Sequence, residues 1–412
     1  MPERETLKLV IVGHLDHGKS TLIGRLLNDT GSLPPEKLEE IRQVSLERGR
    51  DVEYAHLMDH LQEERRDEMT LDTAQAFFRT PRRDYVIIDA PGHRELMRNM
   101  ITGAAQAEAA VLVVDVCEGV REQTKRHAHF LSLMGIRQVV VWINKMDKIQ
   151  HDRARFAEVA EAARQYLEAV GLTPASCIPG SALLGENLEH RSEAMSWYDG
   201  PTLMEALDAL QAISRSVQGP LRFPVQDVCA VDGRKLLVGR IESGRLRAGE
   251  ELLFLPSGLK ARVKAVEVFG QERVEAASGE CIGLALDSDQ LPARGEVGCA
   301  GMLPSPTRRF RASVFWMSGD PCRKGETLLV RLSTQGIPGR VESIERRMDS
   351  ASLETLEAPA DRLEETELGE VILALDRPIV AELPSRVPEL GRLILTRGLE
   401  TAGGGLVQEV NI

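Results

Sequence analysis

The sequence lacks the features that would tie it to a membrane, a secretion route or a disulfide scaffold. No stretch approaches the roughly 20 apolar residues of a membrane span. Met1–Thr6 is polar and charged, and the apolar run Leu7–Val12 is too short for a signal core, so no secretory leader is expected. The six cysteines are scattered with no C-x-x-C pair, which argues against zinc and cross-links and fits a reduced, cytoplasmic setting. No low-complexity tract and no internal repeat is evident. A positive balance is missing too: 51 Lys and Arg against 63 Asp and Glu leave a net charge of −12. That is a poor footprint for non-specific nucleic-acid binding. Residues 307–349 are locally basic, with nine Lys/Arg against five Asp/Glu. A solvated strand surface is the simpler reading of that stretch, and a docking surface the alternative.

At 412 residues the chain is too long for one core. The first half alternates short apolar runs (Leu7–Val12, Tyr85–Asp89, Ala109–Asp115, Val139–Asn144) with helical patterns (Ser20–Leu27, Glu122–Leu133, Ala154–Val170, Leu203–Ile213, the last opened by Pro201). Alternation of this kind predicts an α/β domain with a parallel sheet covered on both faces. After Ser216 helical periodicity gives way to alternating runs broken at Asp232-Gly233, Ser243-Gly244, Ala248-Gly249 and Ser257-Gly258, the pattern of an antiparallel barrel. Leu303-Pro304-Ser305-Pro306 punctuates the chain before a second all-β segment. The expected domains are therefore 1–215 (α/β), 216–304 (β-barrel) and 305–412 (β-barrel).

Four motifs carry chemistry. Gly13-His14-Leu15-Asp16-His17-Gly18-Lys19-Ser20, followed by Thr21, is a full G-x-x-x-x-G-K-S match between a strand and a helix. Its backbone N–H groups suit phosphates, Lys19 the β/γ oxygens, and the Ser20 hydroxyl a magnesium ion. Asp89-Ala90-Pro91-Gly92-His93 ends an apolar strand: Asp89 would hold magnesium through water, Gly92 N–H would meet the γ-phosphate, and His93 would orient the attacking water. Asn144-Lys145-Met146-Asp147 ends another strand. The Asp147 carboxylate would accept from guanine N1 and N2, which adenine cannot match. Lys145 would lie along the base, and Asn144 would tie this loop to the phosphate loop. Ser181-Ala182-Leu183 would supply a main-chain N–H for guanine O6. Thr70, about fifty residues past the phosphate loop, is placed to close over magnesium while the γ-phosphate is present. Together these predict a switch that binds and hydrolyses GTP with Mg²⁺. His127 and His129 sit in a helix-like segment and read as ordinary histidines; His56 and His60 share an i, i+4 face, for which a solvated pair is the simpler reading and a metal-binding pair the alternative.

The chain resembles the GTPases of the elongation factor Tu class, through GHLDHGKSTLIGRLL, DAPGHRELMRNMITGA, EQTKRHAHFLSLMGI and NKMD. Within that class MSWYDGPTLMEALDAL, SALLGENL, LRFPVQDV at 221–228 and FWMSGDPCRKGETLLVRL at 315–332 look like the GTPase subunit of bacterial sulfate adenylyltransferase. The resemblance implies that Asp16 to Thr21 bind phosphates and magnesium, that Thr70 and Asp89 complete the metal shell, and that His93 positions water. Asn144, Lys145, Asp147, Ser181 and Ala182 would hold guanine. It further implies a partner, a smaller ATP-sulfurylase subunit that makes adenosine 5'-phosphosulfate while GTP is hydrolysed here. The chain departs from the pattern in its Asp16-His17 pair, where sulfate subunits more often carry two acidic residues, and in Glu68-Met69, where Gly-Ile is usual. A second phosphate loop is absent. The rival expectations are a translation factor that carries aminoacyl-tRNA, and a GTPase without turnover that serves as a scaffold.

Overall fold

Apolar runs too short for helices set up the first half of the chain. β1 (Thr6–Gly13), β3 (Asp84–Ile88), β4 (Ala109–Asp115), β5 (Gln138–Asn144) and β6 (Pro174–Pro179) are parallel neighbours, joined at one edge by β2 (Gln75–Arg79) in the order β2-β3-β1-β4-β5-β6. This is a computed structural model, and it describes residues 5–32, 75–88, 107–211, 218–231, 234–268 and 271–412. All seven residues of β4 are buried, as befits a strand covered on both faces. The covering helices are α1 (Lys19–Asp29), α2 (Glu122–Leu133), α3 (Arg153–Ala169) and α4 (Leu203–Ala209). α1 turns Leu22, Ile23, Leu26 and Leu27 onto the sheet.

Two expectations need correction here. The sheet is mixed, because β2 runs antiparallel to β3. The connection is a four-residue turn in which Thr80 N–H donates to Arg83 O at 3.0 Å, and so short a link permits only antiparallel pairing. Phe78 thereby stacks on Tyr85 with ring centroids 4.5 Å apart. The second correction concerns α4, which is opened by a capping box between Thr202 and Glu205 and ends at Ala209. Thr202, whose hydroxyl can accept from the Glu205 N–H, takes the cap position that Pro201 cannot.

The chain divides into two compact units, 1–212 and 213–412. The second is all-β. Its first barrel comprises β7 (Leu221–Val231), β8 (Arg234–Arg240), β9 (Arg245–Arg247), β10 (Glu251–Leu255), β11 (Leu259–Val268), β12 (Gln271–Arg273), β13 (Glu275–Ala277), β14 (Cys281–Leu286) and β15 (Val297–Ala300). The second comprises β16 (Thr307–Trp316), β17 (Cys322–Arg323), β18 (Thr327–Leu332), β19 (Gln335–Asp349), β20 (Thr355–Glu357), β21 (Arg362–Leu363), β22 (Glu367–Ile379), β23 (Arg392–Arg397) and β24 (Glu400–Val410). Each has its own apolar core, and a smaller cluster that includes Leu255, Val297, Val380 and Leu390 joins them. Arg222 and Glu382 pair within it at 2.6 Å, both buried.

The absence of an internal repeat does not hold at the level of topology. The sheet orders are β10-β15-β7-β8-β14-β11-β12, closed by β10–β11, and β18-β23-β24-β16-β22-β19-β20, closed by β18–β19. Moving β7 from the start of the first barrel to its end converts one order into the other. The hydrogen bonds repeat as well. Gly249 N–H donates to Val263 O and Val263 N–H to Glu250 O, just as Gly325 N–H donates to Val341 O and Val341 N–H to Glu326 O. Gly249 and Gly325 hold φ of 90° and 87°, values that favour glycine.

Candidate functional site

Three loops leave the carboxyl ends of β1, β5 and β6, where the strand order reverses around β1 and ligands of α/β sheets settle. The first, Gly13 to Gly18, relies on its glycines. A Cβ at Gly13 would lie 2.4 Å from Val113 O, and one at Gly18 would lie 2.4 Å from Asn144 Nδ2. Gly18 also holds φ of 92° as the cap of α1, and Asp16 is left-handed at 61°. Lys19 Nζ donates to Gly13 O at 2.9 Å and His14 O at 2.8 Å, which holds its ammonium across the loop. His14 Nδ1 meets Gln123 Oε1. The His17 ring is fully buried beneath the loop, with Asp115 N–H 3.2 Å from Nδ1 and Glu118 Oε2 3.6 Å from Nε2. Burial holds its pKa below the ordinary histidine value. Only the backbone of His17 is left to face a phosphate. Ser20 and Thr21 follow on the first turn of α1, half-buried.

The second loop begins at Asn144, which is buried and joins all three. Its Nδ2 donates to His17 O at 2.9 Å, and its Oδ1 accepts the Ala182 N–H at 2.9 Å. Lys145, left-handed at φ 66°, donates to Asp16 O at 2.6 Å and pairs with Asp115 Oδ2 at 2.6 Å. For Asp115, burial would raise the pKa, but the Lys145 ammonium and the Cys117 N–H outweigh it and hold the carboxyl below its usual value. Asp147 sits in the short helical turn Met146–Ile149, and its Oδ1 is buried without a hydrogen-bond partner among the described residues. A buried carboxylate oxygen left unsatisfied is costly, and a ligand donor removes that cost. The third loop places Ser181 and Ala182 in the interior and leaves Leu183 half-exposed, with Arg25 of α1 donating to Leu183 O at 3.2 Å.

The structure thus brings together Gly13, His14, Asp16, His17, Gly18, Lys19, Asn144, Lys145, Asp147, Ser181, Ala182 and Leu183. Thr70, Asp89, Gly92 and His93 lie outside the described residues, as do Glu68, His56, His60 and the Asp232-Gly233 turn. Motif reading missed Asp115, whose only signal is a carboxylate at the end of an apolar strand, and Arg25, which carries none. His127 and His129 belong to α2, as the helical pattern implied; His127 is buried, and burial pushes the His129 pKa down to about 4. The fit to a guanine nucleotide rests on the unpartnered Asp147 oxygen beside a loop shaped for phosphates. No cluster of three His, Cys, Asp or Glu side chains that would hold a metal occurs among the described residues.

Residues 4–212 match the family model described as Elongation factor Tu GTP binding domain, and residues 309–408 match GTP-eEF1A C-terminal domain-like. Elongation factor 1-alpha of Archaeoglobus fulgidus is 37% identical over 99% of this chain and 98% of that protein. The protein of the same name from Halobacterium salinarum is 36% identical, with both covered in full. A solved structure of sup35 complexed with GMPPNP aligns over 99% of this chain and 95% of that one, at 23% identity and a TM-score of 0.47. The elongation factor 1-alpha relatives overturn the expectation of a sulfate adenylyltransferase subunit that drives sulfate activation in a smaller partner. Of the segments that suggested it, 181–188 is the third loop of the nucleotide site, 195–210 leads into and spans α4, 221–228 lies in β7, and 315–332 runs from β16 through β18, and none of these positions reports a partner.

Proposed function

The chain belongs to the elongation factor Tu and elongation factor 1-alpha family of GTP-binding proteins, and from that premise we propose that it is a translation elongation GTPase. In this reading it delivers aminoacyl-tRNA while GTP is bound, releases it after hydrolysis, and works in the cytoplasm. The observation that carries the reading is the extent of the likeness, which spans both barrels as well as the nucleotide loops. The surface charge supports it. Within the basic stretch 307–349, four arginines are engaged with glutamates: Arg309 with Glu342, Arg311 with Glu345, Arg346 with Glu370 and Arg347 with Glu367. On β11, by contrast, Lys260, Arg262 and Lys264 stand exposed at every second position and so share one face. None of the three has an ion-pair partner among the described residues, so together they form a local basic stripe in an acidic chain, suited to an RNA backbone.

In the nucleotide site the Asp16–Thr21 backbone cradles the phosphates, and Lys19 exchanges its two carbonyl partners for β/γ oxygens. Ser20 offers magnesium the hard oxygen donor it prefers, with Thr70 and Asp89 completing the set. Bound there, the ion neutralises charge on the phosphates. His93 positions the attacking water. Asp147 supplies the acceptor for guanine N1 and N2, and the Ser181–Leu183 loop, whose Ala182 N–H is shared with Asn144 Oδ1, supplies a main-chain N–H at the opposite edge of the base.

The test is protection of the aminoacyl ester from spontaneous hydrolysis, measured with protein loaded with a non-hydrolysable GTP analogue or with GDP. Protection in the first state only is expected. Replacing Lys260, Arg262 and Lys264 by alanine should weaken binding and flatten its salt dependence by about two to three counterions. Equal absence of protection in both states would remove the reading.

A further inference from the structure

The two loops at the base end are each closed on themselves. His151 N–H donates to Met146 O at 2.9 Å and closes a loop that contains Asp147. Glu186 N–H donates to Ser181 O at 3.1 Å and closes a loop that contains Ala182 and Leu183. Near the sheet the loops are pinned together by Met146 N–H on Gly180 O at 3.2 Å and by Asn144. At their far ends the two closing residues meet, with His151 Nε2 2.8 Å from Glu186 Oε2. That contact is mostly shielded, the two side chains being 20% and 17% exposed. Ser192 Oγ donates to the other Glu186 oxygen at 3.1 Å, and Trp197 Nε1 donates to His151 O at 3.2 Å. The backbone is strained on both sides of the contact: Gln150, His151 and Asn187 hold φ of 54°, 59° and 57°. Non-glycine residues stay left-handed only where their surroundings over-determine them.

We propose that His151 and Glu186 are positioning residues for base selection. The pair clamps the far ends of the two loops and so holds the Asp147 carboxylate and the Ser181–Leu183 backbone at the separation of a guanine ring. Neither side chain touches the nucleotide. Discrimination against hypoxanthine, which lacks the 2-amino group that Asp147 would accept, depends on that separation. The inference rests on the guanine reading of Asp147, so Asp147→Asn is included as a control.

The experiment measures dissociation constants for GTP and ITP with the full chain. His151→Ala and Glu186→Ala should each shrink the ITP-to-GTP ratio by roughly three- to tenfold, through weaker GTP binding. The double variant should be no worse than either single one. Glu186→Gln should retain the ratio, because its amide oxygen can still accept from a ring N–H of His151. An unchanged ratio in both alanine variants, or a loss equal for the two nucleotides, would overturn the clamp. Failure of Asp147→Asn to shift preference toward XTP would instead remove the guanine reading beneath it.

Discussion

The two ends of the nucleotide site are built from different materials. The phosphate end is backbone: a loop whose shape depends on the missing side chains of Gly13 and Gly18, closed over by the Lys19 ammonium. The base end is side chain: the unpartnered Asp147 oxygen, the Lys145–Asp115 pair and the buried Asn144 amide. Backbone donors meet any phosphate, so the first end supplies affinity without choice. A single carboxylate matched to one donor pair supplies choice. Substitutions should therefore lower affinity for all nucleotides at one end and change the preferred nucleotide at the other.

The largest expected effect breaks the phosphate end. Gly18→Val adds a side chain where φ is 92° and a Cβ has Asn144 Nδ2 at 2.4 Å. Combined strain and lost hydrogen bonds should cut affinity for GTP, ITP and XTP alike by roughly 10³-fold, as read by calorimetric titration. Next comes Asp147→Asn at the base end. It should weaken GTP by about 10²-fold while strengthening XTP, whose 2-oxo group accepts from the new amide. GTP binding that survives unchanged would place specificity elsewhere. His93→Ala separates turnover from both ends. Affinity should stay within a few-fold while single-turnover hydrolysis falls by roughly two orders of magnitude. The smallest expected effect joins the ends: Asn144→Ala frees His17 O and Ala182 N–H together, and should cost about tenfold in affinity for GTP and XTP equally. A selective loss of one nucleotide would show that Asn144 belongs to the base end alone.

Much of this was legible in the sequence because the chemistry leaves few options. A phosphate loop needs glycines and a lysine at set spacing, and Asn144 tying the base loop to the phosphate loop followed from its place at a strand end. Helix α2 spans the residues its apolar period predicted, Glu122 to Leu133. What failed to show was long-range. β2 is a strand because Phe78 finds Tyr85, a fact of pairing rather than of local pattern. The permuted kinship of the barrels is carried by a few shared letters, G-E-x-L-L at 249–253 and 325–329 and R-V at 262–263 and 340–341. Elsewhere a barrel asks only for alternation, so nothing else in the sequence had to agree. The sulfate-activating resemblance erred because the segments that carried it do not report a partner. In the locally basic stretch at 307–349, Arg309, Arg311, Arg346 and Arg347 are paired with glutamates on neighbouring strands, one of them 98 residues away, a pairing that no local pattern shows.

Service in translation elongation is decided by dipeptide formation on programmed ribosomes. The ribosomes carry an initiator aminoacyl-tRNA in the peptidyl site and receive the second aminoacyl-tRNA with this protein and GTP. Rapid dipeptide formation is expected, requiring GTP and lost in Lys19→Ala. Ribosomes should also accelerate GTP hydrolysis by the protein. No dipeptide above the factor-free rate, with hydrolysis indifferent to ribosomes, would contradict that role.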